Sequence, residues 1–203
     1  LGDKRTVDSG GGQGIGRGVA LSLAAAGAAV VIAEIADAHG LAVQEEIVQR
    51  GGRAGFVRTD ITRKTDVHAA VSRAAETFGG LDILVNSAIA LSPEVLLEEK
   101  SDDDLSFMLG SALWPAWWTM RAALPWMRQA GGGRIINFYS NDADSGAWLH
   151  ADYNAAKTAV LGLTRSAAME WARYNILVNS ICPAGAGVTF QRIPSRIFNS
   201  TTE

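Results

Sequence analysis

Short β-branched runs alternating with longer helical windows constrain this 203-residue chain more than any other feature. Ala29–Ala33, Ala54–Arg58, Leu81–Asn86, Arg134–Tyr139 and Asn175–Ile181 each read as buried strands. Their apolar character is continuous rather than alternating, as in strands covered on both faces. Between them, Ile15–Ala26, Asp37–Arg50, Lys64–Phe78, Asp102–Gln129 and Asp152–Tyr174 read as helices. Gly27, Gly51-Gly52, Gly79-Gly80 and Gly131–Gly133 stand at helix C-terminal stops, where left-handed geometry suits glycine. The alternation predicts an α/β fold, a doubly wound parallel sheet of Rossmann-like type in a single domain over 1–203.

Two places resist that pattern. Lys4–Ser9 (KRTVDS) is assigned as the first strand by position, ahead of a glycine-rich turn, although it is polar for a sheet centre. Pro115 falls inside the fourth helical window and is expected to kink or end it.

Charge narrows the function. With 18 basic and 21 acidic residues the net charge is −3, too nearly neutral for a nucleic-acid backbone binder. The single cysteine, Cys182, excludes a disulfide framework and a CxxC zinc site, and beside Pro183 it reads as a small buried apolar residue. His39, His68 and His150 are too dispersed for a metal cluster, so no metal is expected. The most apolar stretch, Gly18–Ala33 between Arg17 and Glu34, falls short of the ~20 residues a membrane span needs. Leu1–Arg5 has no apolar segment behind it, so no secretory signal is visible. The expectation is a cytoplasmic protein with no membrane or nucleic-acid partner.

The glycine-rich turn runs Ser9-Gly10-Gly11-Gly12-Gln13-Gly14-Ile15-Gly16 into an apolar helix. Glycines let backbone approach a pyrophosphate, and a helix N-terminus supplies N–H donors and partial positive charge. The usual G-x-G-x-x-G is not matched, since Arg17 stands where a third glycine would be needed. Read alone the segment could be a flexible loop; between strand and helix it favours a nucleotide. Glu34 ends the second strand, 18 residues past Gly16, where a carboxylate can accept both ribose hydroxyls of an adenosine. It would repel a 2′-phosphate, and Ile35 offers no cation, so NAD is expected over NADP. The alternative for Glu34 is an exposed carboxylate at a helix start. Asp60 and Asn86 fall at the carboxyl edge of the sheet, where such folds bind ligands.

Tyr153 and Lys157 are four apart on one helix face. A phenol with pKa ~10 is a poor base, and a nearby ammonium would lower it. Ser140, 13 residues before Tyr153, ends the fifth strand and could hydrogen-bond a carbonyl oxygen. A Tyr/Lys pair alone is usually a surface pair; the glycine turn makes it specific.

Together these segments resemble the short-chain dehydrogenase/reductase family. Ser9–Gly16 resembles its TGxxxGxG turn, Tyr153–Lys157 (YNAAK) matches its YxxxK motif, and Ser140 matches the family serine by spacing. Asn86-Ser87-Ala88-Ile89 resembles a degraded NNAG motif, and RIIN at Arg134–Asn137, Val178–Ser180 and Cys182-Pro183 fall where the family has similar segments. The resemblance implies catalytic roles for Ser140, Tyr153 and Lys157, with hydride exchange between NAD(H) and a secondary alcohol or ketone. It implies cofactor contacts at Gly10, Gly12, Gln13, Gly14, Ile15, Gly16, Glu34, Asp60, Ile61, Asn86, Ala88, Tyr153, Lys157 and Pro183.

There are departures. Ala112 stands where the family has an asparagine holding a relay water, and Pro115 where glycine is common. Asp8 replaces an apolar strand residue, Ile89 the last glycine of NNAG, and Ala184 a glycine. Val188–Glu203 is short and polar, so the family's last helix and strand are expected to be missing. These departures motivate an alternative: an NAD-binding relative that has lost catalysis and serves a binding or regulatory role.

Three bland features complete the reading. Ser101-Asp102-Asp103-Asp104 reads as a helix cap rather than a metal site. His150, three before Tyr153, is a candidate pocket-lining residue. Trp114, Trp117, Trp118, Trp126, Leu161, Ala168 and Trp171 cannot all point inward at helical spacing, which leaves apolar helix faces for a partner; the family resemblance implies that these two long helices pair copies of the chain, so a homo-oligomer, dimer or tetramer, is expected.

Overall fold

The computed structural model describes residues 1–183. Its strands are β1 (Arg5–Ser9), β2 (Ala29–Glu34), β3 (Arg53–Arg58), β4 (Ile83–Asn86), β5 (Gly133–Phe138) and β6 (Ile176–Ile181). The helices are α1 (Gly14–Ala25), α2 (Asp37–Gln49), α3 (Lys64–Phe78), α4 (Asp102–Gln129), α5 (Asn141–Ser145) and α6 (Ala151–Trp171). All strand pairs are parallel, in the order β3-β2-β1-β4-β5-β6. The order reverses direction between β1 and β4, and ligands of doubly wound sheets bind at that switch point.

Alternate residues of β2 feed two cores. Val31 and Ala33 pack with Ala70, Val71 and Ala74 of α3 and Met120 of α4, while Val30 and Ile32 pack with Ala20 of α1 and Val43 and Ile47 of α2. A strand covered on both faces favours apolar side chains on each, hence AVVIA.

β1 is central despite its polarity, and local pairing explains how. Arg5 donates Nε to Asp82 Oδ2 at 2.6 Å and its backbone N–H to the same oxygen at 3.0 Å. Burial works against the Asp82 charge, but these Arg5 bonds outweigh it and hold the carboxyl below its usual range. Further along, Val7 joins the α3–α4 core, while Thr6 and Asp8 are fully buried.

Several expectations need correction. β3 and β6 are the sheet edges among the described residues, so neither is buried throughout; β3 is partly exposed along its whole length. Pro115 does not end its helix: α4 runs unbroken through both Pro115 and Pro125. A proline costs one backbone donor, and Pro115 is itself buried in the packed helix face. Cys182 is exposed rather than buried, because it lies just past the end of the edge strand β6. The short α5 and a 3₁₀ turn at Leu97–Glu99 were not legible as helical windows.

The cap expected on α4 is present. Ser101 caps α4, its Oγ accepting from Asp104 N at 3.1 Å while Asp104 Oδ2 accepts from Ser101 N at 2.9 Å. Among the described residues no helix is long and apolar enough to cross a membrane, and no cluster of metal-ligating side chains occurs. Ala184 and Val188–Glu203 lie outside the described residues.

Candidate active site

The glycine-rich turn is shaped by close approach. Gly10 has φ +78°, and a Cβ there would stand 2.7 Å from Ala88 Cα, so the turn packs directly on the segment after β4. A Cβ at Gly16 would stand 2.6 Å from Ser87 Oγ and would collide with the Gly10 carbonyl. The start of α1 is thereby drawn against both strand ends.

Glu34 is buried at 6% exposure, which removes the alternative of an exposed helix-start carboxylate. Its Oε1 accepts from the backbone N–H of Ile35 at 2.9 Å and Ala36 at 3.1 Å, and its Oε2 accepts from Gly12 N–H at 3.3 Å. A side chain at Gly12 would fall 2.8 Å from that oxygen. The turn therefore offers bare backbone at a helix N-terminus with a fixed carboxylate beside it. Those donors suit a pyrophosphate and a ribose diol, so the residues present fit a dinucleotide.

The remaining cofactor candidates divide. Ala88 meets the turn directly. Asn86 is engaged elsewhere: its Nδ2 donates to Asn137 Oδ1 and its Oδ1 accepts from Thr119 Oγ1, each at 2.8 Å, while Asn137 donates to Thr164 at 2.8 Å. Its side chain ties β4 to β5 and α4. Asp60 closes a local turn, accepting from Thr62 N at 2.9 Å and Thr62 Oγ1 at 2.7 Å. The Thr62 hydroxyl bond is the main reason its carboxyl lies below the usual range. Ile61 follows in that turn, partly buried.

Ser140, Tyr153 and Lys157 come together around one cavity of about 160 Å³, which Ile15, Ser87 and Pro183 also line. Ser140 is buried and caps α5, accepting from Asp142 N–H at 3.3 Å. Its hydroxyl is near enough to the Tyr153 phenol to favour the charged form there. Lys157 lies one helical turn on, with its ammonium 5.8 Å from the Tyr153 ring centre and donating to the Phe138 carbonyl at 2.9 Å. Burial lowers the Lys157 ammonium from 10.5 to about 8.

The phenol differs from expectation. Burial pushes Tyr153 above its ordinary value; the nearby Ser140 hydroxyl opposes this, and the Asp142 carboxylate adds to it. Lys157 does not bring the phenol down here, because its ammonium is directed at a carbonyl rather than at the hydroxyl. Depression of the phenol therefore requires a further donor or a redirected Lys157.

His150 lines the same cavity, with Nδ1 3.3 Å from Asp142 Oδ2 and Nε2 3.5 Å from Glu94 Oε1. Sequence reasoning did not find Glu94, Lys100, Asp142 or Asp152. Lys100 and Asp152 form a buried pair at 2.9 Å, and Lys100 also donates to Ser92 Oγ and the Pro93 carbonyl. No local motif marks residues 92–100; Asp142, two past Ser140, and Asp152, next to Tyr153, stood close enough to recognised positions to be found. Ala112 packs with Met108, Ala156 and Val160, and offers no polar group at the relay position.

Comparison with known proteins gives the family. The short chain dehydrogenase family model matches residues 6–195. An uncharacterized oxidoreductase of Thermotoga maritima is 36% identical over 180 residues, covering 89% of this chain and 70% of that protein. A 3beta-hydroxysteroid dehydrogenase of Mediterraneibacter gnavus is 34% identical, with 90% and 66% covered. A D-beta-hydroxybutyrate dehydrogenase of Cupriavidus necator is 34% identical, with 90% and 70% covered. A parallel sheet with its glycine turn at the switch point, and a family match over nearly all its length, make this chain a member of the short-chain dehydrogenase family.

Proposed function

We propose that the chain is an NAD-dependent oxidoreductase that moves a hydride between NAD(H) and a secondary alcohol or ketone. The observation that carries this is the shared cavity: Ser140, Tyr153 and Lys157 face Ile15 and Ser87, which sit on the glycine-turn side. Gly10–Gly16 and Glu34 would hold the dinucleotide, which supplies the hydride acceptor when bound. In oxidation Tyr153 takes the alcohol proton as the carbinol hydrogen leaves with its electron pair; in reduction the same phenol returns a proton to the carbonyl oxygen. Ser140 positions that oxygen. Lys157, lowered to about 8, would support a phenolate once its ammonium turns from the Phe138 carbonyl toward the phenol, and that support would be lost as rising pH removes its charge.

The cavity chemistry favours an uncharged substrate. Lys100 has Asp152, Ser92 and Pro93 as acceptors, and His150 stands between two carboxylates. Among the described lining residues the cation without a carboxylate partner is Lys157, which the proposed chemistry itself engages, so none is left over for a substrate carboxylate. Steroid alcohols, named for one relative, fit that description better than hydroxybutyrate, named for another.

Ala112 supports the second reading, an NAD binder without catalysis, since its apolar packing leaves the relay position empty of polar groups. A screen of secondary alcohols with NAD separates the two, because turnover eliminates the second. Tyr153→Phe should lose nearly all turnover while keeping NAD affinity; unchanged turnover would sink the catalytic assignment.

The same proposal includes a twofold homo-oligomer. Trp114 and Trp117 of α4 and Met169 of α6 are exposed, whereas Trp126 and Trp171 pack against the core. Light scattering tests it, and a monomeric mass refutes it.

A further inference from the structure

The proposed chemistry leaves one buried acid unused. Asp8 lies at the centre of the sheet with no exposure, between Ile32 of β2 and Val85 of β4. Its Oδ2 has no hydrogen-bond partner, and its Oδ1 lies 3.1 Å from Ser87 Oγ. Ser87 Oγ also lies 2.5 Å from the Ser9 carbonyl.

A hydroxyl carries one proton, and a backbone carbonyl can only accept. The Ser87 proton therefore belongs to the short contact with Ser9. The contact to Asp8 then requires a proton on Asp8 itself. An ionised Asp8 would instead place two acceptors face to face with no donor between them, in a site from which water is excluded.

We propose that Asp8 is a protonated carboxylic acid that donates to Ser87 Oγ, and that this chain, Asp8 to Ser87 to the Ser9 carbonyl, is the positioning device that sets the glycine-rich turn for dinucleotide binding. The part concerning the dinucleotide rests on the function proposed above. The turn lies directly over the acid: a Cβ at Gly11 would stand 3.3 Å from Asp8 Oδ2, and one at Gly16 2.6 Å from Ser87 Oγ. The charge facing Asp8 from β2 is Glu34, also an acid; the groups facing it from the β4 side and the turn, Ser87 and Gly11, are uncharged. Burial drives the Asp8 carboxyl well above the usual carboxylate range, and Glu34 adds to that. A Ser87 hydroxyl turned toward Asp8 would oppose the rise, but its proton is engaged with Ser9.

The consequence is a sign. A group whose value is raised by folding contributes stability that is full below about 3.8 and lost as pH rises through its folded value. Ionised Asp8 would also set a negative charge under the backbone that receives pyrophosphate. Alkaline pH should therefore weaken both the fold and dinucleotide affinity.

Infrared difference spectra of the full chain against Asp8→Asn provide the first readout. A protonated-carboxyl band should be present at neutral pH and absent from the variant, whose amide can still donate to Ser87. Absence of that band from the unaltered protein overturns the proposal. Should Asp8→Asn not fold, Ser87→Ala replaces it: the band should persist and shift as its partner is lost, and an unshifted band overturns the proposal. NAD titration is the second readout. As pH rises from neutral, affinity of the unaltered protein should fall about tenfold further than that of Asp8→Asn, in which only the Lys157 charge is lost. Equal pH profiles overturn the coupling to the turn. The band with no NAD binding at any pH refutes the proposed cofactor, leaving the proton on Asp8 established.

Discussion

The two halves of the candidate site are made from different materials. On the β1–α1 side the working surface is backbone: Gly10, Gly12 and Gly16 are shaped by what a side chain would strike, and Glu34 is pinned by three N–H groups. On the β5–α6 side it is side chains: Ser140, Tyr153 and Lys157, held by a helix cap, helical spacing and a strand carbonyl. The first half should fail when space is filled, the second when charge is moved. Asp8 is the exception, a charge-sensitive group beneath the half built from backbone.

Filling space should give the largest effect. Gly16→Val places carbon against Ser87 Oγ and the Gly10 backbone, which should cost about 3 kcal/mol of stability and abolish measurable NAD binding. Denaturant titration and NAD titration read the two losses, and a stable, NAD-binding variant would break the distinction between the halves. Charge comes next. Lys157 titrates near 8 in the fold against 10.5 when unfolded, so between these values the unfolded chain binds the extra proton and stability rises with pH. Lys157→Met should lack that rise and be more stable than the unaltered chain below pH 8, by about 2–3 kcal/mol. Unfolding curves across that range check it; parallel pH dependences would refute it.

Two smaller effects sharpen the contrast. Methyl 3-hydroxybutyrate and 3-hydroxybutyrate share a skeleton and differ in charge, and the ester should be favoured about 30-fold in kcat/KM, because the carboxylate finds carboxylates rather than a spare cation. A preference for the acid would show that Lys157, the lining cation without a carboxylate partner, takes the substrate carboxylate. Glu34→Ala should narrow the preference for NAD over NADP by about tenfold, read by titration with each. Equal affinities in the unaltered protein would show that Glu34 does not face the ribose.

The two halves also differed in how legible they were. Glycine spacing and the Tyr153–Lys157 interval are local, so both motifs could be read and both fall at the same cavity or its rim. The central place of β1 could be read only from the turn after it, since its polarity is offset by partners far along the chain: Asp82 for Arg5 and Ser87 for Asp8. Pro115 does not end α4 because a buried helix is held by its packing as well as by its hydrogen-bond ladder. Asn86 sits where expected at the end of β4, yet its amide is spent on Asn137 and Thr119, which sequence spacing could not reveal. Glu94 and Lys100 reach the cavity from a segment with no periodicity to mark it.

Isotope transfer tests the central claim most directly. The full chain would be incubated with NAD and a panel of uncharged secondary alcohols carrying deuterium at the carbinol carbon, and the reduced nicotinamide weighed by mass spectrometry. The account predicts reduced NAD carrying the label, formed by the unaltered protein and not by Tyr153→Phe. Bound NAD with no reduced, labelled product from any alcohol would contradict it and leave a dinucleotide-binding protein without catalysis.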